Sequence, residues 1–229
     1  MLNLDGLHHK LIVSCQAPAD SPLRQTSHML AVARAALMGG AAGLRAEGIE
    51  DVRAMAALGR PLIGLVKREE AGSPVYITPS VADVRALCAA GASIVAADVT
   101  GRRRHSGEPS RALVEAAHAC GALFMADVDS LEAGEEAVAA GADLVSSTLS
   151  GYTGDTPAEA PDIALVAALV RRLPIPVFAE GRYRTPEQVE KAFAAGAYCV
   201  VVGGAITDPI QITRRFAAAC PQPTESLPA

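Results

Sequence analysis

Pro176-Val-Phe-Ala-Glu180-Gly181, then a helical stretch with Pro186 near its start and Ala195-Gly196-Ala197 at its end, then Tyr198-Cys-Val-Val-Val202-Gly203-Gly204: this run decides the fold. Both outer pieces are apolar without alternation, the mark of strands covered on both faces. Two such strands joined by a helix are parallel neighbours in a βαβ unit. Each strand ends in glycine, and a bare backbone there lets main-chain N–H groups approach an anion. One such glycine would read as a tight turn. Gly181 on one strand and Gly203 with Gly204 on its neighbour, beside Glu180, read as a phosphate cup.

The same unit recurs along the whole chain. Apolar runs at Leu11–Cys15, Gly43–Arg45, Pro61–Val66, Ser93–Ala97, Leu123–Ala126 and Asp143–Val145 precede the two already quoted. Helical patterns lie between them, at 29–38, 49–58, 81–90, 110–120, 131–140 and 163–173, with a last one at 209–219. Gly40, Gly59, Gly91, Gly121, Gly141 and Gly196 each follow a helix, where a left-handed cap needs no side chain. Eight strand–helix repeats predict an α/β chain folded as a single (β/α)8 TIM barrel over residues 1–220. An open doubly wound sheet has the same local pattern, because periodicity does not show closure. The tail, 221–229, is proline-rich and expected to fray.

Composition narrows the class of function. The chain has 229 residues, half of them hydrophobic, and a formal charge of −5, enough for one domain with its own core. No apolar run reaches the length of a membrane span, and Met1 to Lys10 lacks the order of a signal peptide, so a cytoplasmic protein with no membrane partner is expected. Nucleic acid is not expected as a partner: aromatics make up 3%, and Arg102-Arg103-Arg104 is the one basic cluster. The five cysteines show no CxxC spacing and read as reduced core residues.

In a barrel of this kind chemistry sits at the carboxyl ends of the strands. Those ends read Gln16, Arg45, Lys67, Asp98, Asp127, Thr148, Glu180 and Gly203. Lys67 and Glu180 stand out by position. They close strands three and seven, four apart in a ring of eight, and so reach the mouth from opposite walls. One ionisable group on each face of a substrate suits removal and return of a proton beside a carbonyl. The same two residues would also suit a plain ion pair. The histidines fall away from strand ends, and Asp98 with Asp127 makes a thin ligand set, so no metal is expected. Without a GxGxxG motif after the first strand, no cofactor is expected either.

With these residues placed, the chain resembles the N-acetylmannosamine-6-phosphate 2-epimerase family of bacterial sialic acid catabolism. The resemblance runs from Leu11 to Phe216. It is carried by Ser14-Cys-Gln16, Leu44-Arg45, Ile63-Gly-Leu-Val-Lys67-Arg68, Tyr76-Ile-Thr-Pro79, Met125-Ala-Asp127, Thr148-Leu-Ser-Gly-Tyr-Thr153, Ala179-Glu-Gly-Arg-Tyr183 and Val202-Gly-Gly-Ala-Ile-Thr207. It implies cofactor-free interconversion of N-acetylmannosamine 6-phosphate and N-acetylglucosamine 6-phosphate. Lys67 and Glu180 would be catalytic. Gln16, Arg45, Asp127 and Thr148 would contact the substrate, and Gly181, Gly203 and Gly204 would receive the phosphate. One departure matters: members of the family often place an arginine where this chain has Asp208, which would leave Arg182 or Arg184 to compensate. Another phosphosugar isomerase, or a phosphosugar-binding protein without catalysis, are the competing readings. Alanine-rich outer helix faces hint at a homodimer.

Overall fold

The computed structural model describes residues 4–154 and 158–221. The expected tail begins at its last described residue; 222–229 lie outside. Eight parallel strands close into a barrel in sequence order: β1 (Lys10–Cys15), β2 (Gly43–Glu47), β3 (Leu62–Leu65), β4 (Ile94–Asp98), β5 (Leu123–Asp127), β6 (Leu144–Ser146), β7 (Val177–Glu180) and β8 (Cys199–Val202). The β1–β8 pairing, Ile12 opposite Val201, completes the ring and rules out the open sheet. The helices are α1 (Thr26–Met38), α2 (Ile49–Ala56), α3 (Val81–Ala90), α4 (Ser110–Ala119), α5 (Leu131–Ala140), α6 (Ile163–Arg172), α7 (Pro186–Ala194), a short α8 (Gly204–Thr207) and α9 (Pro209–Ala218).

Local chemistry sets the boundaries. α3 opens on a capping box, in which the Asp83 N–H donates to Ser80 Oγ at 3.2 Å and the Ser80 N–H returns to Asp83 Oδ2 at 3.1 Å. All six post-helix glycines adopt positive φ, as the cap argument requires. At Gly91 the requirement is double: φ is +101°, and an added Cβ would stand 2.7 Å from Ala56 Cβ. α6 ends instead at an extended Leu173, held there by the following proline.

The side-chain period of two positions the site. Along the strands Leu44, Ala46, Val95, Ala97, Phe124 and Ala126 face outward and pack beneath the helices. Ile12, Ile63, Leu65, Ile94, Leu123, Met125, Leu144, Phe178, Cys199 and Val201 face inward and fill the barrel. Each such fully buried aliphatic side chain contributes ~1.5–3 kcal/mol relative to exposure. Counting onward by twos from this inward set gives Gln16, Lys67, Asp98, Asp127, Thr148, Glu180 and Gly203. The residues expected at the mouth are therefore the continuation of the interior stripe of each strand. At the opposite end a short 3-10 turn, Leu4–Leu7, inserts Leu7 into the interior cluster as a plug.

Neighbouring helices pack in sequence from α1 to α7, whereas α9 packs mainly on α8 and has no buried residue. Among the described residues, no helix is long and apolar enough to cross a membrane.

Candidate active site

A cavity of about 840 Å³ opens at the carboxyl ends of the strands. Its floor is a buried charge cluster. Arg45, in mid-β2 on the inward stripe, is 1% exposed and crosses the barrel. Its Nη2 donates to Asp127 Oδ2 at 2.7 Å and its Nη1 to Asp127 Oδ1 at 3.2 Å, a two-pronged pairing at the end of β5. The same Nη1 lies 2.8 Å from Glu180 Oε2 at the end of β7. Thr148 Oγ1 stands 2.7 Å from Asp127 Oδ1 and 3.2 Å from Glu180 Oε2, linking the two carboxylates. Ser147 holds the backbone of Glu180 in place, donating to its carbonyl at 2.9 Å and accepting from its N–H at 3.1 Å.

These contacts determine protonation. Burial raises the Glu180 carboxyl to about 7; the adjacent Arg45 opposes the rise and the Asp127 charge adds to it. Burial also opposes charge on Arg45, but Asp127 and Glu180 outweigh it and raise its proton affinity. Lys67 has access to the solvent of the mouth yet is hemmed in by protein. That desolvation and the nearby Arg45 charge lower its pKa, against the smaller opposing pull of Glu47, Glu180 and Asp127. Among the described residues Lys67 is in no ion pair. Of the two readings of Lys67 and Glu180, the structure supports separate groups: the partner of Glu180 is Arg45. Among the described residues Glu180 Oε1 has no hydrogen-bonding partner, which leaves it free for a ligand.

Lys67 is positioned by a device that spacing does not reveal. After β3 the chain turns back and bridges Lys67 to Ile77. The Thr78 N–H donates to the Val66 carbonyl at 2.8 Å, and Thr78 Oγ1 donates to the Ala96 carbonyl at 2.6 Å. Thr78 adopts φ +46°, unusual for a β-branched residue, and is fully buried. The return brings Tyr76 into the cavity wall, where burial raises its phenol and keeps it a hydrogen-bond donor. Sequence reasoning noted Tyr76 in this loop and gave it no role. The run of β-branched and aromatic residues Val75-Tyr-Ile-Thr78 after Gly72 is the available signal.

The other expected residues divide. Gln16, Arg45, Lys67, Thr148, Glu180, Gly181, Arg182, Gly203 and Gly204 all line the cavity. Gln16 Nε2 donates to Ser14 Oγ at 2.8 Å. Gly181 has φ +111°, and Gly204 begins α8, whose first N–H groups have no carbonyl within their own helix. Asp127 is fully buried and does not line the cavity; its oxygens serve Arg45 and Thr148. Asp98 is likewise withdrawn, held by Arg102 at 2.6 Å and by Thr100 at 2.7 Å. Arg182 is held locally: Nη1 donates to the Ser150 carbonyl at 2.5 Å, Nε to the Ala160 carbonyl at 2.8 Å, and the guanidinium lies 5.0 Å from the Tyr152 ring centre.

Comparison with known proteins places this arrangement. A family model described as "Putative N-acetylmannosamine-6-phosphate epimerase" (NanE) matches residues 29–222. This chain belongs to the N-acetylmannosamine-6-phosphate epimerase family. A solved member, the N-acetylmannosamine-6-phosphate 2-epimerase of Clostridium perfringens, superposes with TM-score 0.92 at 45% identity, covering 95% of this chain and 96% of its own. A Clostridium perfringens relative described as "Putative N-acetylmannosamine-6-phosphate 2-epimerase" is 46% identical over 93% of this chain and 97% of its own. The "Bifunctional enzyme NanE/NanK" of Brucella melitensis is 48% identical over 93% of this chain, which spans 41% of that longer protein.

Proposed function

We propose that this protein interconverts N-acetylmannosamine 6-phosphate and N-acetylglucosamine 6-phosphate by moving a proton at carbon 2 of the open-chain sugar. The observation that carries the reading is the placement of Lys67 and Glu180 on strands four apart around the barrel, unpaired with each other, over one cavity. A base on one face and a proton donor on the other together invert a carbon. Lys67, whose pKa burial and the Arg45 charge lower, gives up its own proton more readily than a free lysine and so serves as the base on one side. Glu180, raised to about 7, is a carboxylic acid for part of the time near neutral pH. The proton at carbon 2 is acidic only while the neighbouring aldehyde can take up charge. Arg45 beneath and Lys67 in its protonated form stabilise the resulting enolate. In the reverse direction the two groups exchange roles. Proton transfer of this kind calls on no electron carrier, and we propose that it runs without metal or cofactor.

In this reading Gln16 and Thr148 contact the sugar, and Asp127 acts through Arg45. The N–H groups about Gly181, Gly203 and Gly204 take the phosphate. We infer a homodimer as well. α9 carries Ile212 and Phe216 on one face, four residues apart, and Phe216 is 75% exposed. Helix neighbours pair off around the ring from α1 to α7, whereas α9 packs mainly on α8, so a second copy is the natural cover for its apolar face. Cytoplasmic placement belongs to the same reading and accords with five free cysteines.

The test is direct. EDTA-treated protein is incubated with N-acetylmannosamine 6-phosphate and the sugars are separated by anion-exchange chromatography. The gluco epimer is expected from wild type and not from Lys67→Ala. No product from a folded wild type would refute the assignment.

A further inference from the structure

Six cationic side chains line the cavity: Arg24, Arg45, Lys67, Arg182, Arg184 and Arg215. Four have assigned tasks. Arg24 pairs with Glu47 at 3.1 Å and Asp51 at 3.2 Å, and Arg45 with Asp127 and Glu180. Arg182 donates to two carbonyls, and Lys67 is reserved for chemistry. Arg184 and Arg215 remain. Among the described residues neither guanidinium has a hydrogen-bond acceptor or an ion-pair partner, although both line the site.

Their placement is specific. Arg184 follows Gly181 by three residues. Arg215 shares a face of α9 with Asp208 and Gln211, at i, i+3 and i+7, and all three line the cavity. That face abuts the glycine cup: a Cβ built on Gly204 would lie 3.6 Å from Asp208 Cβ and 4.0 Å from Gln211 Nε2. Asp208 is turned into its own helix, where Oδ1 accepts from the Gln211 N–H at 3.0 Å. A phosphate in the cup meets backbone N–H groups and needs balancing charge, and two uncommitted arginines line the same cavity. A guanidinium presents paired donors that match phosphate oxygens.

We propose that Arg184 and Arg215, with the Gln211 amide, close on the outer oxygens of the phosphate and select phosphorylated over unphosphorylated sugar. The assignment rests on the phosphosugar reading above and names residues within it. It gives the charge to the second turn of α9 and to the loop after β7, rather than to Arg182, whose Nε and Nη1 already hold the Ala160 and Ser150 carbonyls.

The experiment uses wild type, Arg184→Ala, Arg215→Ala, the double variant and Arg215→Lys. Inorganic phosphate is the first probe, read as the rise in melting temperature it produces and as competitive inhibition. Wild type is stabilised by phosphate, and the double variant loses most of that shift. Each single Ala variant raises KM for N-acetylmannosamine 6-phosphate and the phosphate inhibition constant about fivefold or more, with kcat within about twofold. Arg215→Lys restores part of the loss. Unchanged KM and unchanged phosphate protection in the double variant overturn the assignment, as does a wild type insensitive to phosphate. A wild type that binds phosphate through these arginines but leaves the phosphosugar unconverted refutes the epimerase reading and keeps this one.

Discussion

Replacing Asp127 by asparagine tests whether this residue holds Arg45 or touches the sugar. The structure gives it no surface in the cavity and two contacts to a guanidinium, at 2.7 and 3.2 Å, with both side chains at most 1% exposed. Removing one member of a buried pair costs ~3–5 kcal/mol. Asparagine keeps one acceptor oxygen and Glu180 still faces Arg45, so the loss falls near the lower end, about 3 kcal/mol. In a chain of this size each kcal/mol moves the midpoint ~2–4 °C, giving a fall of ~6–12 °C. Thermal and urea unfolding measure it, with an unchanged urea slope expected. A second effect follows from charge. The Asp127 carboxylate helps to raise Glu180, so its loss lowers the Glu180 pKa and shifts the inflection of the kcat/KM profile from about 7 to lower pH. A midpoint within about 2 °C of wild type, with the inflection unmoved, would show that Asp127 does not support Arg45 and would return it to the sugar.

Other outcomes follow from the same geometry. Lys67→Ala and Glu180→Gln each lower kcat by ~10²–10⁴-fold, the range for loss of a positioned acid or base; circular dichroism checks that the fold is kept. Glu180 binds its proton more tightly folded than unfolded. Its contribution to stability is therefore full below the unfolded value of 4.5 and is lost as pH rises through about 7. Urea unfolding across that window should show Glu180→Gln lacking this part of the slope. Gly64→Ala would set a methyl 2.8 Å from Ala92 Cβ and 3.3 Å from Leu87 and Val52, and should cost ~1–3 kcal/mol in urea unfolding. Light scattering should give twice the chain mass, and deleting residues from Pro209 onward should give the single mass.

Much of the barrel was open to reading because its logic is local. Continuous apolar runs, glycine caps and a period of two carried the strands, the helix ends and the inward stripe on which Gln16, Lys67, Asp127, Thr148 and Glu180 lie. What spacing could not give was partnership across the ring. Arg45 lies on β2, five strands before Glu180 along the chain, yet its reach through the interior decides that Glu180 is not the partner of Lys67. Asp98 looked like a site residue at a strand end. Arg102 and Arg104, four and six residues later, fold back on it and claim both its side chain and its carbonyl. α9 showed the pattern of a packed barrel helix; that it leaves its apolar face uncovered depends on where α8 delivers it, which no periodicity encodes.

The central claim is that Lys67 and Glu180 act on opposite faces of carbon 2. Proton NMR of N-acetylmannosamine 6-phosphate turned over in deuterated water, sampled at low conversion, tests it most directly. The account predicts deuterium at carbon 2 of the gluco product and protium still at carbon 2 of the unreacted substrate. Protium carried into the product, or deuterium accumulating in the recovered substrate as fast as in the product, would contradict two separate groups and point to one residue serving both faces.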